Sequence, residues 1–126
     1  MAKILLIEDD MWLAELYISE LKNSGHEIFH ARTAQESMDL LDENNAEIIL
    51  LDIMLPEHNG IEVLHELQSY EDWNDIPVVL LSTISPQQFR LSQKQWEEYG
   101  VVKYLYKPQV KPNDLALIIE GLVADE

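Results

Sequence analysis

The chain has 126 residues, close to the usual size of one domain, and 47% of them are hydrophobic, as in proteins with an apolar core. Its formal net charge of −16 argues against nonspecific binding to nucleic acid or anionic membranes and suits a partner with a basic patch. The absence of cysteine excludes disulfides and cysteine nucleophiles, and the short apolar runs exclude a membrane-spanning segment.

Five predicted strands alternate with five predicted helices along the chain. Each strand is a short apolar run, which is typical of strands buried on both faces of a parallel sheet. In chain order the elements are strand 3–7, helix 11–24, strand 26–30, a helix from the Thr33–Glu36 capping box through Leu41 to Asn44, strand 47–52, helix 61–70, strand 77–81, helix 86–99, strand 101–106 and helix 112–124. This alternation predicts right-handed βαβ units and an α/β fold with a doubly wound, five-stranded parallel sheet.

Capping residues mark the ends of the predicted helices. Asp10 is placed to cap the first helix, Ser85 and Pro86 suit the start of the fourth, and Gly100 suits its end. The fourth helix is polar and has few apolar anchors, chiefly Phe89 and Trp96, so we expect it to be the least stable element. The first helix has four apolar residues at helical spacing: Leu13, Leu16, Tyr17 and Leu21.

Four predicted strands end on residues that do not belong in an apolar core. They are Glu8-Asp9-Asp10, Asp52, Ser82-Thr83 and Lys107. In a parallel sheet these residues lie on one edge, where ligands bind. Carboxylates in one cleft repel each other unless positive charge lies among them, and Lys107 together with Mg²⁺ would supply that charge. Ser82 and Lys107 suit the oxygens of a phosphoryl group, so the predicted chemistry is attack of a carboxylate on phosphorus to form an aspartyl phosphate.

Each of these residues also has a purely structural interpretation. Glu8-Asp9-Asp10 would cap the first helix, Lys107 would be a solvated lysine and Asp52 a turn residue. Taken singly, capping and solvation are the better interpretations of the acid cluster and of Lys107. The joint pattern favours a functional site, because each of the four features ends its own apolar strand.

Taken together, these motifs resemble the receiver domain of two-component response regulators, of the chemotaxis-regulator kind, over about residues 3–123. The matching segments are residues 4–10, residues 50–60 around Asp52, residues 76–82 and residues 100–108. The resemblance implies a flavodoxin-like (βα)5 fold with strand order 2-1-3-4-5 and a single receiver domain spanning residues 1–126. It also implies a cytoplasmic signalling protein that is not an enzyme but catalyses its own phosphotransfer and dephosphorylation.

The resemblance also implies a role for each site residue. Asp52 would be the phosphoacceptor and a metal ligand. Asp9 would bind Mg²⁺ directly, Glu8 would act through metal-bound water, and the backbone carbonyl of Met54 would be a further ligand. Ser82 and Lys107 would contact the phosphoryl group, and Tyr104 would be the switch aromatic. Thr83 stands where the family usually has alanine, and its bulk would narrow access to the phosphoryl position.

The implied partners are proteins. A histidine kinase or a histidine phosphotransfer protein would donate the phosphoryl group, and a downstream protein or a missing effector domain would receive the signal. Direct contact with nucleic acid or a membrane is not expected, and the resemblance is compatible with a homodimer. Ile118 replaces the arginine usual in receivers of winged-helix transcription factors, which weakens the case for their particular dimer.

Three alternatives stay open from the sequence. The first is a receiver-like docking module that works without phosphate. The second is a Mg²⁺-dependent phosphatase with an aspartyl nucleophile, but such enzymes generally carry a second aspartate two residues later, where this chain has Met54. The third is a flavodoxin-like cofactor binder, but Glu8-Asp9-Asp10 would repel a phosphate after the first strand.

Overall fold

A single sheet of five parallel strands, in the order β2-β1-β3-β4-β5, organises the fold. The computed structural model describes residues 2–53, 60–89 and 92–124. The strands are β1 (Lys3–Ile7), β2 (Glu27–Ala31), β3 (Ile48–Asp52), β4 (Val78–Ser82) and β5 (Val101–Tyr106), and the helices are α1 (Met11–Asn23), α2 (Ala34–Glu43), α3 (Gly60–Gln68), α4 (Gln93–Glu98) and α5 (Pro112–Ala124). The predicted fold class and strand order are confirmed. None of the described helices combines the length and apolar character needed to cross a membrane.

The sheet separates two apolar layers. Alternate residues of β3 point to opposite faces, so Ile49 and Leu51 pack with α2, α3 and α4, whereas Ile48 and Leu50 pack with α1 and α5. Every residue of β3 and β4 is buried. Full burial of a Leu or Ile side chain contributes roughly 1.5–3 kcal/mol, so these central strands hold the sheet edge rigidly.

Capping at Asp10 fixes where α1 begins. The Asp10 carboxylate accepts a hydrogen bond from the Leu13 backbone N–H at 3.1 Å, as predicted. The helix therefore starts directly after the acidic residues that follow β1. One apolar residue at the predicted helical spacing, Leu16, is exposed rather than inward.

The prediction of one continuous helix over residues 86–99 is wrong. A 3₁₀ turn at Pro86–Phe89 is followed by the separate six-residue helix α4. A capping box starts α4: the Ser92 hydroxyl accepts from the Gln95 N–H at 3.1 Å, and the Gln95 side chain accepts from the Ser92 N–H at 2.8 Å. These local bonds favour a new helix start at Ser92.

Close packing requires glycine at the start of α3. A Cβ atom on Gly60 would lie 2.5 Å from the Cα atom of Ile53, which is closer than Cβ atoms approach other backbone. Ile53 directly follows Asp52, so this contact fixes the chain just after β3. The helix ends at Gln68, two residues before the predicted end.

Candidate functional site

Three buried or nearly buried ionisable side chains meet at the carboxyl edge of the sheet. The Lys107 ammonium donates hydrogen bonds to Glu8 Oε1 at 2.7 Å and to Asp52 Oδ2 at 3.2 Å. Glu8 and Asp52 are buried, and the Lys107 side chain is 12% exposed. The ends of β1, β3 and β5 therefore bring together residues that are far apart in sequence, as the sequence predicts.

The carboxylates at this edge form a group suited to a cation. Glu8, Asp9 and Asp52 each offer a carboxylate oxygen, and the three oxygens lie within 4.8 Å of one another. Glu8 Oε2 is buried and accepts no hydrogen bond from any described donor. A buried carboxylate oxygen without a donor is costly, and Mg²⁺ prefers oxygen ligands, so these residues fit a magnesium ion. The predicted Met54 ligand lies outside the described residues.

The electrostatics of the site favour a bound proton or cation. Burial raises the pKa of Glu8 to about 8, the neighbouring Asp52 raises it as well, and Lys107 opposes both effects only in part. Burial alone would lower the pKa of Lys107, but its hydrogen bond to Glu8 and the charge of Asp52 raise that pKa above its usual value. In the absence of a metal, the site therefore favours the protonated form of Glu8 and the charged form of Lys107.

Contacts between β2 and the backbone of Glu8 hold this first acidic residue in place. The Glu8 N–H donates to the Ala31 carbonyl at 3.0 Å, and His30 Nε2 lies 2.8 Å from the Glu8 carbonyl oxygen. The sequence analysis did not single out His30. The signal that could have found it is the predicted strand order, which makes β2 the neighbour of β1 and puts the end of β2 beside Glu8.

Ser82 and Tyr104 form a second polar group at the ends of β4 and β5. Ser82 is fully buried, and its hydroxyl accepts from the Ile84 N–H at 2.9 Å. The Tyr104 hydroxyl donates to the Ile84 carbonyl at 2.5 Å. Burial raises the pKa of Tyr104, and a hydrogen bond with Ser82 counters this in part. Ile84, which links the two predicted residues, acts through its backbone, so its side chain gave no signal in the sequence.

Ser82 also lies close to Asp52 in the sheet register. Asp52 pairs with Leu81 across β3 and β4, so Ser82 is one residue beyond that pair on the neighbouring strand. Thr83, the next residue, is exposed at the same edge. The structure thus brings every described site residue of the sequence analysis to the carboxyl edge or to its margin on β5.

Known proteins with the same pattern are response regulators and receiver domains. A probable transcriptional regulator, ycf29 from Pyropia yezoensis, is 32% identical over 122 residues, which is 97% of this chain and 53% of that protein. The chain thus spans about half the length of that relative. The polar-differentiation response regulator DivK from Brucella ovis is 28% identical over 115 residues and matches 91% of both proteins.

Solved structures agree with these relatives. The signal receiver domain of a histidine kinase from Syntrophus aciditrophicus superposes with a TM-score of 0.82 at 27% identity, covering 99% of this chain and 92% of that one. The chemotaxis protein CheY4 of Vibrio cholerae has a TM-score of 0.82 at 21% identity over 96% of this chain and 98% of that one, which supports the fold alone. The family model of the response regulator receiver domain matches residues 4–120. The chain therefore belongs to the response regulator receiver domain family of two-component signalling.

Proposed function

We propose that the chain is a phosphorylation-dependent switch in which Asp52 accepts a phosphoryl group from a phosphohistidine. The observation that carries this proposal is the contact of Lys107 with both Glu8 and Asp52, beside the partly exposed Asp9. A carboxylate held between a cation-binding acid group and a fixed ammonium is suited to react with an anionic phosphoryl donor. The donor would be a histidine kinase or a histidine phosphotransfer protein.

The proposed step is a simple displacement at phosphorus. An oxygen of the Asp52 carboxylate forms the new P–O bond while the P–N bond to the donor imidazole breaks, and the imidazole leaves with the electron pair. Lys107 lies 3.2 Å from Asp52 Oδ2 and would stay beside the phosphoryl oxygens through the step. The Ser82 hydroxyl would turn from the Ile84 N–H toward the new phosphoryl group.

Mg²⁺ would be held by Glu8, Asp9 and Asp52, with the Met54 carbonyl as a proposed further ligand. When bound, it would neutralise charge on the phosphoryl oxygens and on the carboxylates. In this arrangement Asp9 is the half-exposed acid, so it is the side chain that solvent and an entering cation reach first. Asp10 is turned away to cap α1.

The metal proposal predicts different effects for the two neighbouring aspartates. Asp9→Asn should weaken Mg²⁺ binding by at least about tenfold, because it removes one charged oxygen ligand. Asp10→Asn should change the affinity by less than about twofold, because asparagine caps a helix as well as aspartate does. Titration of Mg²⁺ against tryptophan fluorescence can measure both, since Trp12 is close in sequence and exposed. If the two substitutions weaken Mg²⁺ binding equally, the assignment of Asp9 as the direct ligand is wrong.

An exposed apolar patch on α1 suits the protein that donates the phosphoryl group. Met11, Trp12 and Leu16 are 42%, 72% and 37% exposed, and α1 starts directly after the acidic residues of the site. Large exposed apolar side chains mark protein interaction surfaces, and tryptophan is frequent among residues that dominate binding energy. We propose this patch as the docking surface for the phosphodonor.

Removing the Trp12 side chain should therefore slow phosphotransfer from a protein but not from a small molecule. Trp12→Ala is expected to lower kcat/KM by about tenfold or more with the histidine-phosphorylated protein that reacts fastest with the wild-type chain. The rate with acetyl phosphate should change by less than about twofold, because that donor makes no contact with the patch. Leu117→Ala is the matched control, since Leu117 is 66% exposed on α5. An equal loss with both donors would argue against docking at Trp12.

Phosphorylation would change the surface formed by α4, β5 and α5. The new group adds roughly −1.5 to −2 charges at neutral pH. Ser82 and Tyr104 would shift together, because both bond to the backbone of Ile84. A downstream protein, or an effector domain outside the present sequence, would recognise the changed surface.

Mass spectrometry after incubation with Mg²⁺ and a phosphodonor tests the proposed function directly. We expect one phosphoryl group per chain, located on Asp52. Two donors are needed, a histidine-phosphorylated protein and acetyl phosphate, because Thr83 at the site margin would restrict access. Absence of phosphorylation with both donors would instead favour a docking module that works without phosphate.

A further inference from the structure

An irregularity in β5 decides which face of the sheet Tyr104 occupies. Val78 pairs with Val101, but the next residue, Val79, pairs with Lys103, so Val102 is an extra residue in β5. A β-bulge of this kind reverses the alternation of side chains beyond it. Tyr104 therefore pairs with Leu80 and lies on the face covered by α4, as Val101 does. Regular alternation from Val101 would have turned it toward α1 and α5.

On that face, Tyr104 meets the buried residue of α4. The rings of Trp96 and Tyr104 have centroids 5.5 Å apart and cross at 60°, an edge-on contact. Trp96 is the buried residue of α4. Past the C-terminus of this short helix, the Tyr99 hydroxyl lies 2.8 Å from His65 Nε2, and the Tyr99 carbonyl accepts from the Gln68 side chain at 2.8 Å.

The two ends of α4 are therefore held differently. The Tyr99 end is tied to α3 through His65 and Gln68. Trp96 instead touches the ring whose hydroxyl bonds to Ile84 and Ser82. A shift of Ser82 would change the partners of the Tyr104 hydroxyl, and the ring contact would pass a movement of Tyr104 on to Trp96 of α4.

We propose that Trp96 is a positioning residue that couples the Ser82–Tyr104 group to α4 through its edge-on contact with Tyr104. This inference rests on the proposed function, because the signal it would carry begins at Asp52. It goes further by assigning a specific role to a residue whose burial would otherwise make it only a core anchor. The distinction is testable because the same apolar layer contains a second buried tryptophan, Trp73, which packs on Tyr70 instead.

Hydrogen exchange of the full chain, with and without Mg²⁺ and beryllofluoride, measures the coupling. In the wild type we expect exchange in residues 93–99 to change by about threefold or more. Trp96→Leu should bring this response below about 1.5-fold while beryllofluoride still binds at Asp52, as fluorine NMR would show. Trp96→Phe keeps an aromatic contact and should retain a clear response, and Trp73→Leu should leave the response unchanged.

Two results in this experiment would overturn the inference. One is an α4 response that persists in Trp96→Leu. The other is loss of beryllofluoride binding in that variant, which would mean that Trp96 supports the site itself. If Trp96→Leu does not fold, Trp96→Met takes its place, because it also removes the ring contact and should likewise bring the response below about 1.5-fold. Trp96→Phe and Trp73→Leu are still expected to respond clearly.

A second measurement needs no phosphoryl group and so stands apart from the proposed function. In the unmodified protein, Ser82→Ala and Trp96→Leu are combined in a double-mutant cycle. We expect the unfolding equilibrium constant of the double variant to depart from the product of the single effects by about threefold or more. The same cycle with Trp73→Leu should agree with the product within about twofold. Additive effects in the Trp96 cycle would refute the coupling, even if Asp52 is phosphorylated normally.

Discussion

Asp52→Asn is expected to abolish phosphorylation of the chain, from one phosphoryl group to none. The substitution keeps the size of the side chain but removes the carboxylate that attacks phosphorus. It also removes the charge that Lys107 contacts at 3.2 Å, while the stronger contact of Lys107 with Glu8 at 2.7 Å remains. The variant should therefore fold, and the loss would report on chemistry rather than on unfolding. Intact-mass and peptide mass spectrometry with protein and small-molecule donors would measure it.

Asp10→Asn is the matched control for this experiment. It removes one carboxylate from the same acidic segment, yet it leaves the helix cap intact and lies outside the acid group of the site. We expect it to be phosphorylated like the wild type. Phosphoryl incorporation that persists in Asp52→Asn would place the acceptor elsewhere and remove the main support for the proposed mechanism.

The sequence was sufficient to predict the sheet and the residues at its edge. Short apolar runs such as the one before Asp52 are buried on both faces, and alternation with helices leaves a parallel sheet as the economical arrangement. A parallel sheet then places all strand ends together, so the approach of Lys107 to Asp52 follows from topology. Topology does not predict that Lys107 lies closer to Glu8 than to Asp52, because the two distances differ by only a few tenths of an ångström.

Other features depend on local irregularities that apolar spacing does not report. The bulge at Val102 determines which face of the sheet Tyr104 lies on. The apolar residues of β5 predict a strand equally well with or without a bulge, so the sequence does not indicate it. The separate start of α4 arises from the Ser92 capping box, inside a stretch whose composition suits one longer helix. Leu16 fits the helical spacing of core residues but stays exposed, because helical periodicity locates a face only to within about one residue.

The metal-free protein is expected to lose stability as the pH rises from about 5 to about 8, with Glu8 as the cause. The unfolded Glu8 ionises near 4.5, whereas burial and Asp52 raise its pKa in the folded state to about 8. Between these values the folded state binds more protons than the unfolded state, so raising the pH favours unfolding. The stabilising contribution of the proton is complete below pH 4.5 and is lost as the pH passes the folded pKa.

Chemical denaturation in EDTA at several pH values would measure this effect. One pKa unit corresponds to about 1.4 kcal/mol, so the raised pKa of Glu8 predicts that the free energy of unfolding falls by on the order of 4 kcal/mol across the window. Glu8→Gln should flatten the curve, because glutamine does not ionise. All other ionisable residues are present in both proteins, so the difference between the curves isolates Glu8. Glu98→Gln, at an exposed position of α4, is the control and should keep the wild-type dependence of the free energy of unfolding on pH. If Glu8→Gln also keeps that dependence, Glu8 is ionised in the folded protein at neutral pH.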